Sequence, residues 1–182
     1  ARGGAHAELI VVQARRLVPV PDGVTDEDAA AVLFGGTTAL VYLRDKAGLE
    51  PGASVLVVGA SGSVGSAAVQ LARHLGAGSV TGVTSTANAA LVADLGADRV
   101  VDYTRSDVAA LPDRFDIVVD TVGTVSIAAG RRLLTDTGVL LLVVGTLGDT
   151  LQARGNVKAG PISEQPHDFA LLLDLVVDGT LQ

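Results

Sequence analysis

Residues Val55-Leu56-Val57-Val58-Gly59-Ala60-Ser61-Gly62-Ser63-Val64-Gly65 constrain the fold of this chain more than any other stretch. Val55 to Val58 make a short apolar run rich in β-branched residues, which reads as a buried strand. A glycine-rich turn follows. Val64, Ala67, Ala68, Leu71, Ala72 and Leu75 then recur at helical spacing, and Gly76 ends the helix. Strand, glycine turn and helix is the context in which such a string holds the pyrophosphate of a dinucleotide. Gly62 lets a backbone approach the pyrophosphate, and Gly65 lets the helix lie close to the strand. The N–H groups of Ser63 and Val64 open the helix, where unpaired donors and the helix dipole favour an anion. Ala60 replaces the first glycine of the usual string, with Gly59 just before it. The competing reading is a tight strand-to-helix turn that holds nothing.

A length of 182 residues suits one domain with a substantial core, and 48% apolar residues argue against disorder. Thirteen basic against 20 acidic residues give a net charge of −7, which argues against nucleic acid as a partner. No apolar run reaches membrane-spanning length. Without cysteine the chain can form neither disulfides nor thiolate metal ligands. No signal-like start is visible, so a cytoplasmic site is expected. The chain opens at Ala1 without methionine and stops at Gln182, and is expected to be a piece of a longer protein.

Ala7 to Val12 and Leu17 to Val20 read as short strands of a partner domain or as the connection from it, so residues 1–24, a remnant of or connection to that domain, are separated from a main domain of 25–182. Thr25 can cap a helix that starts Asp26-Glu27-Asp28. Gly35-Gly36 is expected to break it, with a second helix from Thr37 or Thr38 to about Ala47. From Ser54 onward strands are expected at 54–59, 79–83, 99–102, 116–120, 138–144 and 156–159. Helices are expected at 63–75, 87–95, 106–110, 125–133 and 164–178. Short strands alternating with helices predict an α/β fold, a doubly wound parallel sheet of the Rossmann type.

Seven strings bear on ancestry. They are Gly4-Ala5-His6-Ala7-Glu8, Pro19-Val20-Pro21-Asp22-Gly23, Gly36-Thr37-Thr38-Ala39-Leu40, Gly59 to Gly65, Gln70-Leu71-Ala72-Arg73, Leu95-Gly96-Ala97-Asp98 and Asp120-Thr121-Val122-Gly123. In order and spacing the chain resembles the medium-chain dehydrogenase/reductase family, in its zinc-free branch of quinone oxidoreductases and enoyl reductases. The resemblance implies a cofactor domain whose partner, a GroES-like catalytic domain, is absent apart from its last strands. It also implies hydride transfer between a nicotinamide and a quinone, enone or similar small-molecule substrate. The substrate pocket then belongs largely to the absent half, so no catalytic residue is named. In such relatives the edge strand, here Asn156 to Ala159, pairs with its copy, and a homodimer is expected.

The resemblance also assigns positions. Thr38 falls beside the nicotinamide, although a helix cap is the plainer role. Val122 and Gly123 line the nicotinamide ribose, and Gly145 and Thr146 touch the nicotinamide. Ligands of such sheets do sit beyond the carboxyl ends of the strands. Phe34 stands where zinc-dependent relatives place a cysteine ligand, and no metal is expected. Tyr42-Leu43-Arg44-Asp45-Lys46 matches the Y-x-x-x-K pair of short-chain dehydrogenases, but it lies upstream of the glycine turn, where that family has it downstream. It is read as a chance match.

The cofactor is expected to be NADP(H). A site for NAD usually places Asp or Glu about 20 residues past the glycine turn, to bond the ribose hydroxyl. Here that stretch is Val83-Thr84-Ser85-Thr86-Ala87-Asn88, with no carboxylate. Ser85 and Asn88 can donate to a 2′-phosphate, and Tyr103 falls where relatives supply another donor. Two other functions stay open: an enoyl-reductase module of a polyketide synthase, and a non-catalytic dinucleotide sensor.

Overall fold

The computed structural model describes residues 8–145 and 147–182. Its centre is a six-stranded, all-parallel sheet in the order β3-β2-β1-β4-β5-β6. The strands are β1 (Ser54–Val58), β2 (Ser79–Thr84), β3 (Arg99–Asp102), β4 (Phe115–Asp120), β5 (Leu134–Leu142) and β6 (Val157–Lys158). β1 is central, paired to β2 on one side and β4 on the other, so the strand order reverses beside it. The longer helices are α1 (Asp26–Leu40), α2 (Ser63–His74), α3 (Ala89–Asp94), α4 (Ile127–Arg132), α5 (Leu147–Gln152) and α6 (Pro166–Val177). Among the described residues no helix is long and apolar enough to cross a membrane.

Alternation along β1 explains the two layers. Val55 and Val57 join a core shared with α1, α2 and α6 residues such as Leu40, Leu71 and Leu172. Leu56 and Val58 point the other way, into a second core with Val83, Val118, Leu140 and Leu142. Full burial of each such side chain contributes about 1.5–3 kcal/mol, so both faces must stay covered.

Two expectations fail in the first 50 residues. Residues 8–24 contain no strand among the described residues, only a single turn of helix at Ala14–Arg16. A strand needs a partner ladder, and here Leu9, Ile10 and Val11 lie exposed. Residues Ala1 to Ala7 lie outside the described part. Gly35-Gly36 does not break the first helix either. α1 runs through both glycines, and a wide-turned helical stretch, Val41–Ala47, continues it to Gly48. The glycines serve close packing. A Cβ on Gly35 would lie 2.4 Å from the Ser63 carbonyl oxygen, and one on Gly36 would lie 3.0 Å from Leu172 Cδ2. Tertiary packing thus overrides the low helix propensity of the pair. Thr25 caps α1 as expected, accepting from Asp28 N–H at 3.1 Å. The region expected as helix at 106–110 is one short turn, Val108–Ala110, and α5 was not expected at all.

Candidate dinucleotide site

The glycine turn joins β1 to α2 beside the point where strand order reverses. Gly59 has φ of 83°, in the left-handed region, and makes the sharp turn. Ala60, in the place of the usual first glycine, is fully buried. A Cβ on Gly65 would lie 2.0 Å from the Gly59 carbonyl oxygen, so only glycine lets α2 pack onto the turn. A Cβ on Gly62 would meet nothing nearer than that same oxygen at 3.4 Å, so one side of Gly62 is an open cradle. Gly62 is also the cap residue of α2 and brings no side chain to it. The first backbone bond of the helix runs from Ser66 N–H to the Gly62 carbonyl at 2.8 Å. The amides of Ser63, Val64 and Gly65 therefore have no helical carbonyl behind them and are free to donate to a ligand.

Ser61 ties this turn to the end of β2. Its Oγ accepts from Thr84 Oγ1 at 2.8 Å and from Asn88 Nδ2 at 3.2 Å. Ser85 Oγ lies 3.5 Å from the same Asn88 amide. Tyr103 is 58% exposed, and its N–H is bonded to the Thr84 carbonyl at 3.1 Å, which sets it beside the same loop. One carboxylate does stand near: Asp102 accepts from Thr86 Oγ1 and, at 2.7 Å, from Thr104 Oγ1. These bonds hold its carboxyl below the ordinary aspartate range and occupy its oxygens.

A cavity of about 720 Å³ opens between Val58, Gly59, Val83, Tyr103, Val108, Val122 and Val125, at the carboxyl ends of β1, β2 and β4. Its apolar walls suit a planar base. The stretch Ser106 to Ala109, which forms one wall, carries no motif that sequence reasoning could have found.

The second flank of the crevice is built by Asp120, at the end of β4. Its side chain is fully buried. Oδ1 accepts from the N–H of Val122 at 3.0 Å and of Gly123 at 2.9 Å, and Oδ2 from Val125 N–H at 2.7 Å. The turn carrying Val122 and Gly123 is thus folded around one carboxylate. Gly123 has φ of 74°, and a Cβ there would lie 3.1 Å from the Val144 carbonyl oxygen, so this turn abuts the end of β5. Gly145 follows, exposed. Thr146 lies outside the described residues.

Thr38 is not a helix cap. It is a buried residue inside α1, next to Thr37. The Thr37 hydroxyl is buried without a hydrogen-bond partner among the described residues. Through Gly35 this part of α1 rests on Ser63, the first residue of α2. The open cradle at Gly62 and the uncapped amides of α2 fit an extended polar ligand carrying a diphosphate. Among the described residues no group of three or more His, Asp or Glu side chains is placed to hold a metal ion. Phe34 projects into solvent at 71% exposure. Tyr42 is buried, and Lys46 packs over its ring at 3.9 Å, so the Y-x-x-x-K match is a packing pair.

A doubly wound parallel sheet with a glycine-rich strand-to-helix turn at its strand reversal is the architecture of nucleotide-binding domains. The family model described as zinc-binding dehydrogenase matches residues 63–164, and the chain belongs to that family, as a cofactor domain like those of its quinone-oxidoreductase-like branch. It is similar to "NADPH-dependent alkenal/one oxidoreductase, chloroplastic" of Arabidopsis thaliana, 31% identical over 94% of this chain and 48% of the relative. It is 54% identical to part of erythronolide synthase EryA2 of Saccharopolyspora erythraea, over 41% of this chain and 2% of the synthase. The quinone oxidoreductase from Coxiella burnetii superposes with a TM-score of 0.78 and 26% identity, over 91% of this chain and 53% of that one. The chain spans about half the length of the Arabidopsis relative.

Proposed function

We propose that this chain is the NADP(H)-binding domain of an oxidoreductase acting on a quinone, enone or similar activated alkene. The observation that carries the reading is the uncapped start of α2 above the open face of Gly62, at the strand reversal. In this reading the amides of Ser63 and Val64 bind the pyrophosphate. Ser85, Asn88 and Tyr103 receive the 2′-phosphate, and the cavity over Val58 and Val83 takes the adenosine. Thr38, Val122, Gly123, Gly145 and Thr146 flank the nicotinamide end. When bound, the reduced cofactor supplies the hydride. The chain's own residues bind it, orient it and shut water from one of its faces. The similarity to an NADPH-dependent alkenal/one oxidoreductase and to a quinone oxidoreductase supports the substrate class. A cytoplasmic setting, a partner catalytic domain and pairing of β6 with its copy belong to the same proposal.

Calorimetric titration of the chain with NADPH and NADH tests it. Two hydrogen bonds to a partly exposed phosphate, each about 1.5–3 kcal/mol at most, favour NADPH by about 10- to 100-fold. Asn88→Asp is expected to reverse the order. Equal or tighter binding of NADH removes the NADP(H) assignment, and binding of neither removes the whole reading. The similarity to EryA2 favours a second reading, an enoyl-reductase unit of a polyketide synthase. Faster reduction of an enoyl thioester than of a free enone by the full-length protein would select it.

A further inference from the structure

Tyr42 and Lys46 take no part in the site above, yet they grip the strand ends that build one side of it. Both lie on Val41–Ala47, where the continuation of α1 is wide-turned. Hydrogen bonds from each residue to the fifth one on lengthen the turn, so residues four apart come nearly into line. The Lys46 ammonium accordingly stands over the Tyr42 ring. The Tyr42 hydroxyl lies 2.8 Å from the Gly160 carbonyl and 3.2 Å from the Leu142 carbonyl, and donates its one proton to them. Lys46 Nζ donates to the carbonyls of Ala159 at 3.0 Å and Gly160 at 2.6 Å.

These carbonyls are not scattered. Leu142 is the last residue of β5, and Ala159 and Gly160 leave β6. Leu142 pairs with Asp120, and Val143 N–H donates to the Asp120 carbonyl at 2.9 Å. The end of β5 is therefore held by β4 on one side and by Tyr42 on the other. Just beyond it stand Val144, against which Gly123 packs, and Gly145. Tyr42 is buried and its proton is committed to backbone oxygen, so it does not serve as an acid. Burial also pushes the Tyr42 phenol up and the Lys46 ammonium down.

We propose that Tyr42 and Lys46 are positioning residues, which clamp the ends of β5 and β6 and so set the place of the Val144–Gly145 turn against a bound nicotinamide. This rests on the dinucleotide reading above. A clamp on that turn matters to a ligand with a nicotinamide and is invisible to one without. The test uses two probes on the chain: NADPH, and 2′,5′-ADP, which keeps the adenosine and 2′-phosphate and lacks the nicotinamide. In Tyr42→Phe, which keeps the ring under Lys46, NADPH binding is expected to weaken about 2- to 12-fold, the effect of roughly one neutral hydrogen bond. Binding of 2′,5′-ADP stays unchanged, and the fluorescence gain of NADPH on binding is lost. Lys46→Met reads the same split if Tyr42→Phe does not fold. Equal weakening of both probes, or of neither, overturns the clamp and leaves the dinucleotide reading intact. An unmodified chain that binds neither probe overturns both.

Discussion

Replacing Asp120 by asparagine is the sharpest single perturbation of this domain. The carboxylate is fully buried and its three partners are backbone N–H groups at 2.7–3.0 Å. Asparagine keeps one oxygen, which can still accept from Val122 and Gly123, now as a neutral group. Its NH₂ then faces Val125 N–H, donor against donor. A hydrogen bond to a charged group contributes about 1.5–3 kcal/mol, and a neutral one about 0.5–1.5. Losing the Val125 bond and weakening the other two sums to about 3–5 kcal/mol. The opposing term is relief of a buried charge. It is small here, because three donors already stand where water would be. Natural domains hold only about 5–15 kcal/mol in total, so the loss would be plain in a urea titration followed by circular dichroism. The slope of the transition should not change. A loss below about 1 kcal/mol would refute the reasoning, since it would mean the turn does not depend on the charge.

Gly65→Ala sets a Cβ 2.0 Å from the Gly59 carbonyl oxygen, backbone against backbone, and should lower the melting temperature by well over 5 °C and abolish dinucleotide binding; an unchanged melting curve would contradict it. Ser54, through its N–H and its hydroxyl, and Thr135 donate to Asp116 and hold its carboxyl below the ordinary range. A folded pKa below the unfolded one gives stability that is complete above the unfolded value, about 3.9, and lost as pH falls through the folded value. Asp116→Asn should thus destabilise at pH 7, and the gap to the unmodified chain should close in unfolding titrations below about pH 4. Pairing of β6 with its copy predicts a dimer in sedimentation velocity, and a monomer at all concentrations would exclude it. The Val157 N–H is already bonded to the Arg154 carbonyl at 3.2 Å, so Val157→Pro is a weak probe of that pairing.

The parts of this domain that were legible in sequence share one property: their cause is local. The run Val55 to Val58, the turn glycines and the Thr25 cap need only their neighbours to be understood. The strands from Ser54 to Asp120 were legible for the same reason, to within a residue or two. What escaped depends on contacts across the chain. Gly35-Gly36 reads as a break until Ser63 and Leu172 are seen against it. Asp120 stands in a recognisable string, but its function as the hub of a turn follows from its burial and its three backbone partners. Ser61 reads as one more small residue until Thr84 and Asn88 reach it from 23 and 27 residues away. Strands in residues 8–24 were inferred from β-prone composition, which cannot supply the partner that a strand needs.

The central place of β1 also governs how the chain is made. β1 needs β2 on one edge and β4 on the other, and the bond from Ser54 to Asp116 spans 62 residues. At about 5–20 residues per second, a ribosome takes about 3–12 s to deliver the second partner. During that time Val55 to Val58 wait with one edge bare. Parallel pairing cannot begin early, because the intervening loop must close first. Among the strands, the one that anchors the glycine turn is thus the one whose edge a nascent chain must shield longest.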